Sequence, residues 1–341
     1  MTRPLAISTG DPGGVGPEIA LAVALEARHG DRIVLFGDAA WLSRRAQALT
    51  AAQDVCFAFD PVRSDIEWRP GSIGLVDVGL PWTADALAHR ASAAGGEAQL
   101  RALDQAIGAA SAGHVSGLVT APMSKAAVNL AGHDFIGHTE HLARAAGLSD
   151  DDVTMMFLGP RLRVALVTTH LAIAAAPREI TRERVLRAVL HLGEALVRGA
   201  AGSRGAPLRL TVTGLNPHAG EGGLFGDEEP RAIVPALELA RARPPFVDGR
   251  VLLEGPTPAE TAFRNAASGR TDGIVAMLHD QATIASKLLD WGAAVNVTWG
   301  LPFVRTSVDH GVAYDAAASG KIEVEGMRAA LALAQQLTAA S

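Results

Sequence analysis

Three histidines follow apolar segments of the chain, and their positions indicate a site for a divalent metal ion. His170, His218 and His279 each come at or soon after the end of a predicted strand. In open α/β sheets, ligands bind beyond the carboxyl ends of the strands. Three imidazoles that meet there would leave one coordination position for water or substrate, as a catalytic metal requires. Separate structural roles are the alternative, because spacing alone does not show that the rings converge.

A polar and cationic group follows the third histidine. Asp280 is adjacent to that histidine and is a candidate general base, or a group that orients the imidazole. Lys287, Asn296 and Arg305 come soon after it. Arg offers a bidentate fork and Lys a compact point charge, so together they suit a small ligand that carries phosphate or carboxylate. Lys125, which directly follows another predicted strand, is a further candidate for the same anion site.

A second histidine cluster has the sequence Gly-His-Thr-Glu-His over residues 137–141. It does not match the H-E-x-x-H pattern of zinc proteases. Thr139 is predicted to cap a helix over residues 140–146. Alternatively, His138 and Thr139 donate hydrogen bonds to an anionic substrate at the helix N-terminus, where the backbone dipole favours negative charge.

A glycine-rich segment, Gly-Asp-Pro-Gly-Gly-Val-Gly-Pro-Glu, spans residues 10–18 between the first predicted strand and the first predicted helix. It is not the dinucleotide fingerprint G-x-G-x-x-G, because the third residue after Gly16 is Ile19. A tight structural turn and a ligand-binding loop are both compatible with these glycines. The charged residues Asp11 and Glu18 favour a functional loop.

These residues are connected by alternating strands and helices, which is typical of an α/β fold. The strands are short and almost wholly apolar, so they suit a mixed or largely parallel sheet covered by helices on both faces. The predicted strands are residues 4–9, 32–36, 116–120, 154–158, 162–169, 208–215, 274–278 and 294–298. The predicted helices are residues 17–28, 92–113, 181–199, 228–243 and 325–337.

Composition excludes several classes of protein. Hydrophobic residues make up 48% and charged residues 19% of the 341 residues, which argues against disorder. The net charge of −6 is spread along the chain, so nucleic acid is not an expected partner. Cys56 is the only cysteine, which excludes an intramolecular disulfide framework. No apolar run is long enough to span a bilayer and no signal-peptide pattern opens the chain, so we expect a soluble cytoplasmic protein without a membrane partner.

Seven motifs together resemble the 4-hydroxythreonine-4-phosphate dehydrogenase family of pyridoxal phosphate biosynthesis. They occur in order through nearly the whole chain, and the longer ones, such as Leu-Asn-Pro-His-Ala-Gly-Glu-Gly-Gly, are specific. The motifs occupy residues 10–18, 120–125, 137–140, 168–170, 215–223, 279–281 and 300–311.

The resemblance implies a two-domain α/β/α fold like that of isocitrate and isopropylmalate dehydrogenases, with the active site in the interdomain cleft. Residues 1–125 and 295–341 would form the first domain, on the nucleotide side. Residues 126–294 would form the second domain, with the metal, the substrate and the dimer contact. It also implies a homodimer whose metal site is shared between subunits.

The resemblance also implies roles for individual residues. The three histidines would bind one divalent cation, which could be Zn, Mg, Co or Mn. Asp280 and Lys287 would be the catalytic residues. The substrate contacts would be His138, Thr139, Lys287, Asn296 and Arg305.

The reaction that the resemblance implies uses NAD or NADP to oxidise 4-phosphooxy-L-threonine at its C3 alcohol. The product, 2-amino-3-oxo-4-phosphooxybutanoate, would lose carbon dioxide to give 3-amino-2-oxopropyl phosphate. No Rossmann fingerprint is present, so the nucleotide is placed near Asp309, His310 and Gly311 by analogy with the isopropylmalate dehydrogenase fold. A structural turn is the alternative for that segment.

Three other functions remain open from the sequence. Relatives of this family act on other phosphorylated four-carbon hydroxy acids or on dihydrodiol carboxylates. Three histidines could also hold a metal hydroxide for hydrolysis, which needs no nucleotide. A metal-binding module without enzymatic activity is a further reading, but it does not explain the neighbouring anion-binding residues.

Overall fold

The computed structural model of the chain describes residues 3–51, 54–63, 67–200 and 205–339, and the backbone forms two units. The first unit contains Met1–Asp150 and Leu301–Ala339, and the second contains Asp151–Gly300. The chain therefore enters the first unit, passes through the second and returns. The boundaries predicted from the sequence, after residue 125 and before residue 295, differ from this division.

Strands and helices alternate through most of the described residues. The strands are β1 (Leu5–Ser8), β2 (Ile33–Gly37), β3 (Cys56–Ala58), β4 (Ile73–Asp77), β5 (Gly117–Thr120), β6 (Thr154–Leu158), β7 (Arg163–Leu166), β8 (Leu208–Thr213), β9 (Val251–Thr257), β10 (Gly273–Ala276), β11 (Val295–Trp299) and β12 (Val304–Ser307). The helices are α1 (Gly16–Ala27), α2 (Ala39–Thr50), α3 (Ala93–Ser111), α4 (Lys125–Leu130), α5 (His138–Ala145), α6 (Ala176–Glu179), α7 (Arg182–Gly199), α8 (Val234–Arg241), α9 (Ala259–Ala267), α10 (His279–Leu289), α11 (Tyr314–Ser319) and α12 (Glu325–Ala339). Every segment predicted as a strand overlaps an observed strand.

The helix predicted over residues 228–243 has two parts. Glu229–Ile233 forms a π-helix, and α8 continues from Val234. Short π-helical turns occur frequently at functional sites. This one comes directly after the loop that carries His218, where Pro217–Gly223 forms a 3-10 turn with irregular backbone angles.

The sheet of the first unit is entirely parallel. Its strand order is β3-β4-β2-β1-β5-β12, and each neighbouring pair runs in the same direction. The sheet of the second unit has the order β11-β6-β7-β10-β8-β9, and β6 is antiparallel to both of its neighbours. The predicted α/β class with a mixed sheet is therefore confirmed.

Apolar strands and helix faces form a core in each unit. In the first unit, Leu103 and Ile107 of α3 pack in one cluster with Val128, Phe135 and Leu142. Those three residues belong to the segment 126–150, which this packing joins to the first unit. In the second unit, the cluster is built from β6, β7, β10 and α9. No helix of the described residues is long and apolar enough to cross a membrane.

Helices α3 and α4 approach each other closely at Gly96. A Cβ placed on Gly96 would lie 2.0 Å from the carbonyl oxygen of Ala127. A backbone atom cannot move aside as a flexible side chain can. The absence of a side chain at Gly96 therefore sets the distance between α3 and the start of α4, where Lys125 lies.

We expect Gly96→Ala to lower the free energy of unfolding by about 1–3 kcal/mol, because the added methyl group overpacks this contact. Gly108→Ala, in the same helix, is the matched control. A Cβ there meets no atom within 4 Å, so this change should raise stability by about 0.5–1 kcal/mol. Urea unfolding measures both effects, and equal effects of the two changes would contradict the close contact.

Candidate functional site

In the first unit, the start of α5 brings together several of the predicted substrate contacts. The helix begins at His138, and Gly137 is its N-cap without a side-chain hydrogen bond. The prediction that Thr139 caps a helix over residues 140–146 is therefore wrong, because Thr139 is the second residue of the helix. Its first N–H groups lie at a helix N-terminus, which attracts anions.

Lys125 lies next to this helix start. A Cβ placed on Gly137 would be 3.4 Å from Lys125 Nζ and 2.8 Å from a carboxylate oxygen of Glu140. Lys125 is the first residue of α4, and the Ser124 hydroxyl caps that helix by accepting a hydrogen bond from Ala127 N at 3.2 Å. The structure thus brings the Thr-Ala-Pro-x-x-Lys and Gly-His-Thr-Glu motifs together.

Arg305 is buried near the same position, with 2% of its surface exposed. It lies on β12, opposite Leu118 of β5, and its Nη2 donates a hydrogen bond to Thr120 Oγ1 at 2.7 Å. Burial lowers the pKa of Arg305 to about 9, although the charge of Glu140 acts in the opposite direction. The guanidinium is therefore still charged at neutral pH.

His138 is neutral at the same pH. Burial holds the pKa of His138 well below its ordinary value, and electrostatic interactions with Arg305, His141 and Lys125 lower it further. Its Nε2 atom is buried and has no hydrogen-bond partner among the described residues. A buried polar atom without a partner is costly. This atom and the surrounding cations together fit an anionic or hydroxylated ligand.

His141, the other histidine of this cluster, has a different role. Its Nε2 lies 2.6 Å from Asp104 Oδ1 on α3, and its ring packs against Phe135. These contacts hold α5 against α3. His141 therefore supports the position of α5.

The glycine-rich segment folds as a tightly packed turn. A Cβ on Gly14 would lie 2.2 Å from Val312 Cγ1, and one on Gly16 would lie 2.4 Å from the carbonyl oxygen of Thr9. The glycines are thus required by neighbouring protein atoms, which favours the structural reading of this segment. Glu18 forms an exposed ion pair with Arg45 at 2.8 Å.

Asp11 is the buried centre of a hydrogen-bond network that the sequence analysis missed. Its carboxylate accepts hydrogen bonds from Gly13 N at 2.9 Å, Gln99 Nε2 at 3.2 Å and Tyr314 Oη at 2.7 Å. Burial raises the pKa of Asp11, and these three hydrogen bonds lower it. Gln99 Oε1 also accepts a hydrogen bond from Ser124 N at 2.7 Å. The network therefore connects the glycine-rich turn to the residue before Lys125.

The predicted nucleotide contacts follow β12. Asp309 is partly buried, and His310 and Gly311 are exposed. His310 Nδ1 lies 2.9 Å from the carbonyl oxygen of Gly311. The next residue, Val312, accepts a hydrogen bond from Val15 N at 3.0 Å, so this segment is attached to the glycine-rich turn.

In the second unit, two of the three predicted metal ligands are neighbours. The ring centroids of His170 and His279 are 5.4 Å apart. Both line a cavity of about 300 Å³, together with residues 168–173, Ala176 and residues 278–280. Asp280 Oδ1 lies 2.9 Å from His279 Nδ1, which leaves Nε2 of that ring for another partner. A carboxylate in this position orients a metal-binding imidazole.

His218 is not among the residues that line this cavity. Its side chain is exposed and its ring is 6.3 Å from that of Phe225. Among the described residues, no group of three or more His, Cys, Asp or Glu side chains is arranged to hold a metal ion. Within this chain, two of the three predicted ligands, His170 and His279, are therefore close to each other. They could supply two of the ligands of a three-histidine site.

Lys287 and Asn296 are also separate from the histidine pair. Lys287 lies eight residues after His279 on α10, or about 12 Å along the helix axis, and its Nζ is 5.7 Å from the centroid of the Trp291 ring. Asn296 lies on β11 opposite Phe157 of β6, and its side chain is partly buried. Lys287 lies in the last turn of α10, and Asn296 is the second residue of β11.

The family model for the pyridoxal phosphate biosynthetic protein PdxA matches residues 29–334 of this chain. The chain belongs to the PdxA family. A 4-hydroxythreonine-4-phosphate dehydrogenase of Geobacter metallireducens is 42% identical over 343 residues, which cover 98% of this chain and 96% of that protein. A D-threonate 4-phosphate dehydrogenase of Salmonella typhimurium is 37% identical and covers 98% of this chain and 99% of that protein.

A solved structure of a relative is also similar to this chain. The 4-hydroxythreonine-4-phosphate dehydrogenase of Klebsiella pneumoniae has a TM-score of 0.79 and 34% sequence identity, and the match covers 99% of this chain and all of that one. The resemblance inferred from the motifs is thereby confirmed. The matches to these relatives cover 98–99% of this chain.

The state of His138 predicts how stability depends on pH. Its pKa is lower in the folded protein than its ordinary value of 6.5, so the unfolded chain takes up a proton more readily. The stability that depends on neutral His138 is therefore fully present above about pH 6.5. It is lost as the pH is lowered towards the pKa of the folded state. We expect His138→Gln to reduce this loss between about pH 7 and pH 5, as measured by urea unfolding.

His191 provides a comparison for this experiment. Burial is the main cause that lowers its pKa to about 4, so it contributes in the same direction, and its ring nitrogen Nδ1 is 2.9 Å from Thr154 Oγ1. The unaltered protein and the His138→Gln variant share this contribution. If both lose the same stability on acidification, His138 is not held neutral by its surroundings.

Proposed function

We propose that this chain is a dehydrogenase that oxidises 4-hydroxythreonine 4-phosphate with NAD or NADP. The observation that carries the proposal is the cationic site at the start of α5, where a buried unpartnered nitrogen of His138 lies among positive charges. Membership of the PdxA family and the names of its dehydrogenase relatives support the reaction class. A small phosphorylated substrate is consistent with the cationic site and with the family.

The anionic end of the substrate binds where Lys125, His138 and Arg305 surround the start of α5. The helix N–H groups and the guanidinium donate to anionic oxygens, and His138 Nε2 gains the hydrogen-bond partner that it otherwise lacks. Thr139, in the first turn, adds a hydroxyl. Charge-assisted hydrogen bonds of this kind are among the strongest in proteins. Lys287 and Asn296 contact the remaining polar groups of the substrate.

His170, His218 and His279 hold one divalent cation in a homodimer whose subunits share the site. The neighbouring pair His170 and His279 and the orientation of His279 by Asp280 support this part of the proposal. A bound cation would stabilise negative charge on substrate oxygens, and a nicotinamide would accept the hydride. Imidazole donors favour Zn, Co or Mn over Mg.

Oxidation of the C3 alcohol releases a hydride and a proton. Asp280 and Lys287 are the side chains that we propose to take up and return protons, with Asp280 beside the histidine pair. Loss of carbon dioxide from the resulting 2-amino-3-oxo-4-phosphooxybutanoate then gives 3-amino-2-oxopropyl phosphate. Asp309, His310 and Gly311 contact the nucleotide, and the exposure of His310 and Gly311 shortly after β12 supports this.

D-threonate 4-phosphate is the second candidate substrate, because a relative with that activity covers 98% of this chain at 37% identity. The two substrates share the phosphate and differ at C2, where one carries an amine and the other a hydroxyl group. The site at the start of α5 binds the common end. A substrate panel that includes both compounds and an unphosphorylated diol carboxylate, followed by nicotinamide absorbance, decides among them.

We expect His218→Ala to abolish turnover while the protein remains folded, because the residue is exposed on a loop and leaves no cavity. Nicotinamide absorbance measures turnover, and circular dichroism measures folding. His29→Ala, which removes an exposed histidine from the first unit, is the matched control and should keep its activity. Wild-type turnover of His218→Ala would show that the ligand assignment is wrong.

Lys125→Met tests the anion site. Loss of a charge-assisted hydrogen bond costs about 1.5–3 kcal/mol, so we expect KM for the phosphorylated substrate to rise about ten- to hundredfold. Inhibition by inorganic phosphate should weaken in parallel. Lys321→Met removes an exposed lysine of the same unit and should leave both constants unchanged. An unchanged KM in Lys125→Met would remove Lys125 from the site.

A further inference from the structure

The loop that carries His218 has an unusual backbone. Six consecutive residues have positive φ, with values of 53° at His218, 52° at Ala219, 79° at Gly220, 41° at Glu221, 68° at Gly222 and 98° at Gly223. A left-handed conformation costs free energy for every residue except glycine. Three of the six residues are not glycine, so interactions outside the turn must hold it in this form.

Glu229 supplies such interactions from the π-helix that follows the loop. Its Oε1 accepts hydrogen bonds from Leu215 N at 2.9 Å and from Asn216 N at 2.8 Å. Its Oε2 accepts a hydrogen bond from Asn216 Nδ2 at 2.9 Å. These donors immediately precede Pro217 and His218. The carboxylate therefore fixes the backbone at the point where the left-handed turn begins.

Two glycines, one before the turn and one within it, fit around this carboxylate. A Cβ on Gly220 would lie 2.8 Å from Glu229 Oε2, and one on Gly214 would lie 3.1 Å from Oε1. Glu229 has only 2% of its surface exposed. A buried carboxylate is costly unless hydrogen bonds satisfy it. Its three hydrogen-bond donors all come from Leu215 and Asn216, directly before the turn. The burial of the carboxylate therefore depends on the position of that segment.

The neighbouring Glu228 differs from Glu229. Its Oε2 accepts only a side-chain hydrogen bond from Asn216 Nδ2, at 2.7 Å, among its described contacts with the loop. It therefore supports the Asn216 side chain but not the backbone. Glu229 alone of the pair combines burial with backbone contacts.

We propose that Glu229 is a positioning residue that holds the left-handed turn and so presents the His218 imidazole to its ligand. This inference rests on the proposed function, in which His218 binds a divalent cation. Glu229 does not touch the ligand. Its effect passes through the backbone of Leu215 and Asn216 to the turn.

The first test measures the loop itself in the metal-free protein. Glu229→Gln retains the shape but places an amide NH₂ group against the NH₂ group of Asn216. We expect amide hydrogen exchange in residues 214–223 to become faster in this variant. Glu238→Gln, an exposed site on α8, is the matched control and should exchange as the unaltered protein does. Unchanged exchange in Glu229→Gln would overturn the proposal.

The second test measures binding of Co²⁺ by calorimetry and by the visible absorption of the bound ion. We expect Glu229→Gln to lower the affinity about ten- to hundredfold, as the loss of partners that orient metal ligands does, and to alter the absorption bands. If His218→Ala changes affinity and spectrum but Glu229→Gln changes neither, Glu229 does not position the ligand.

The same measurements separate this inference from the proposed function. If His218→Ala leaves cobalt affinity and spectrum unchanged, the assignment of His218 as a ligand fails. Faster exchange in Glu229→Gln would then still support its hold on the turn, while the link to metal binding would be overturned.

Discussion

The buried positive charge of Arg305 is the constraint on which the first unit depends. A guanidinium that remains charged inside a protein is expensive unless hydrogen bonds and opposite charge compensate for it. Thr120 accepts one of its hydrogen bonds, and Glu140 supplies an opposing charge. The same positive field helps to keep His138 neutral. An anionic ligand would add to this compensation, so the charge pattern suits the anion site proposed at the start of α5.

The polar network around Asp11 explains how the motifs of the first unit depend on one another. Gln99 bonds both Asp11 and the backbone of Ser124, and Tyr314 approaches Asp11 from α11. The turn after β1, helix α3 and the start of α4 are thereby held in one arrangement. The glycine-rich motif thus acts on the anion site at a distance, through the placement of α4, and need not contact a ligand itself.

The sequence was informative where local pattern decides the structure. Apolar runs located strands in both units, and the motifs identified the family. β12 was missed because its sequence, Val-Arg-Thr-Ser, is polar although all four residues are buried. The cap at Gly137 was missed because an extended glycine carries no side-chain signal. Asp11 and Tyr314 are 303 residues apart, so no local pattern could predict their contact. The same applies to the neighbouring rings of His170 and His279, which are far apart in the sequence.

The two candidate sites therefore differ in what a single chain can supply. The anion site is assembled within the first unit from residues whose burial and charge already match a ligand. The metal site has two imidazoles together and a third on a loop with a costly backbone. A conformation of that kind persists only when surrounding contacts determine it. The hydrogen bonds from Leu215 N and Asn216 N to Glu229 are such contacts, so the chain holds the exposed His218 in a defined position on the loop.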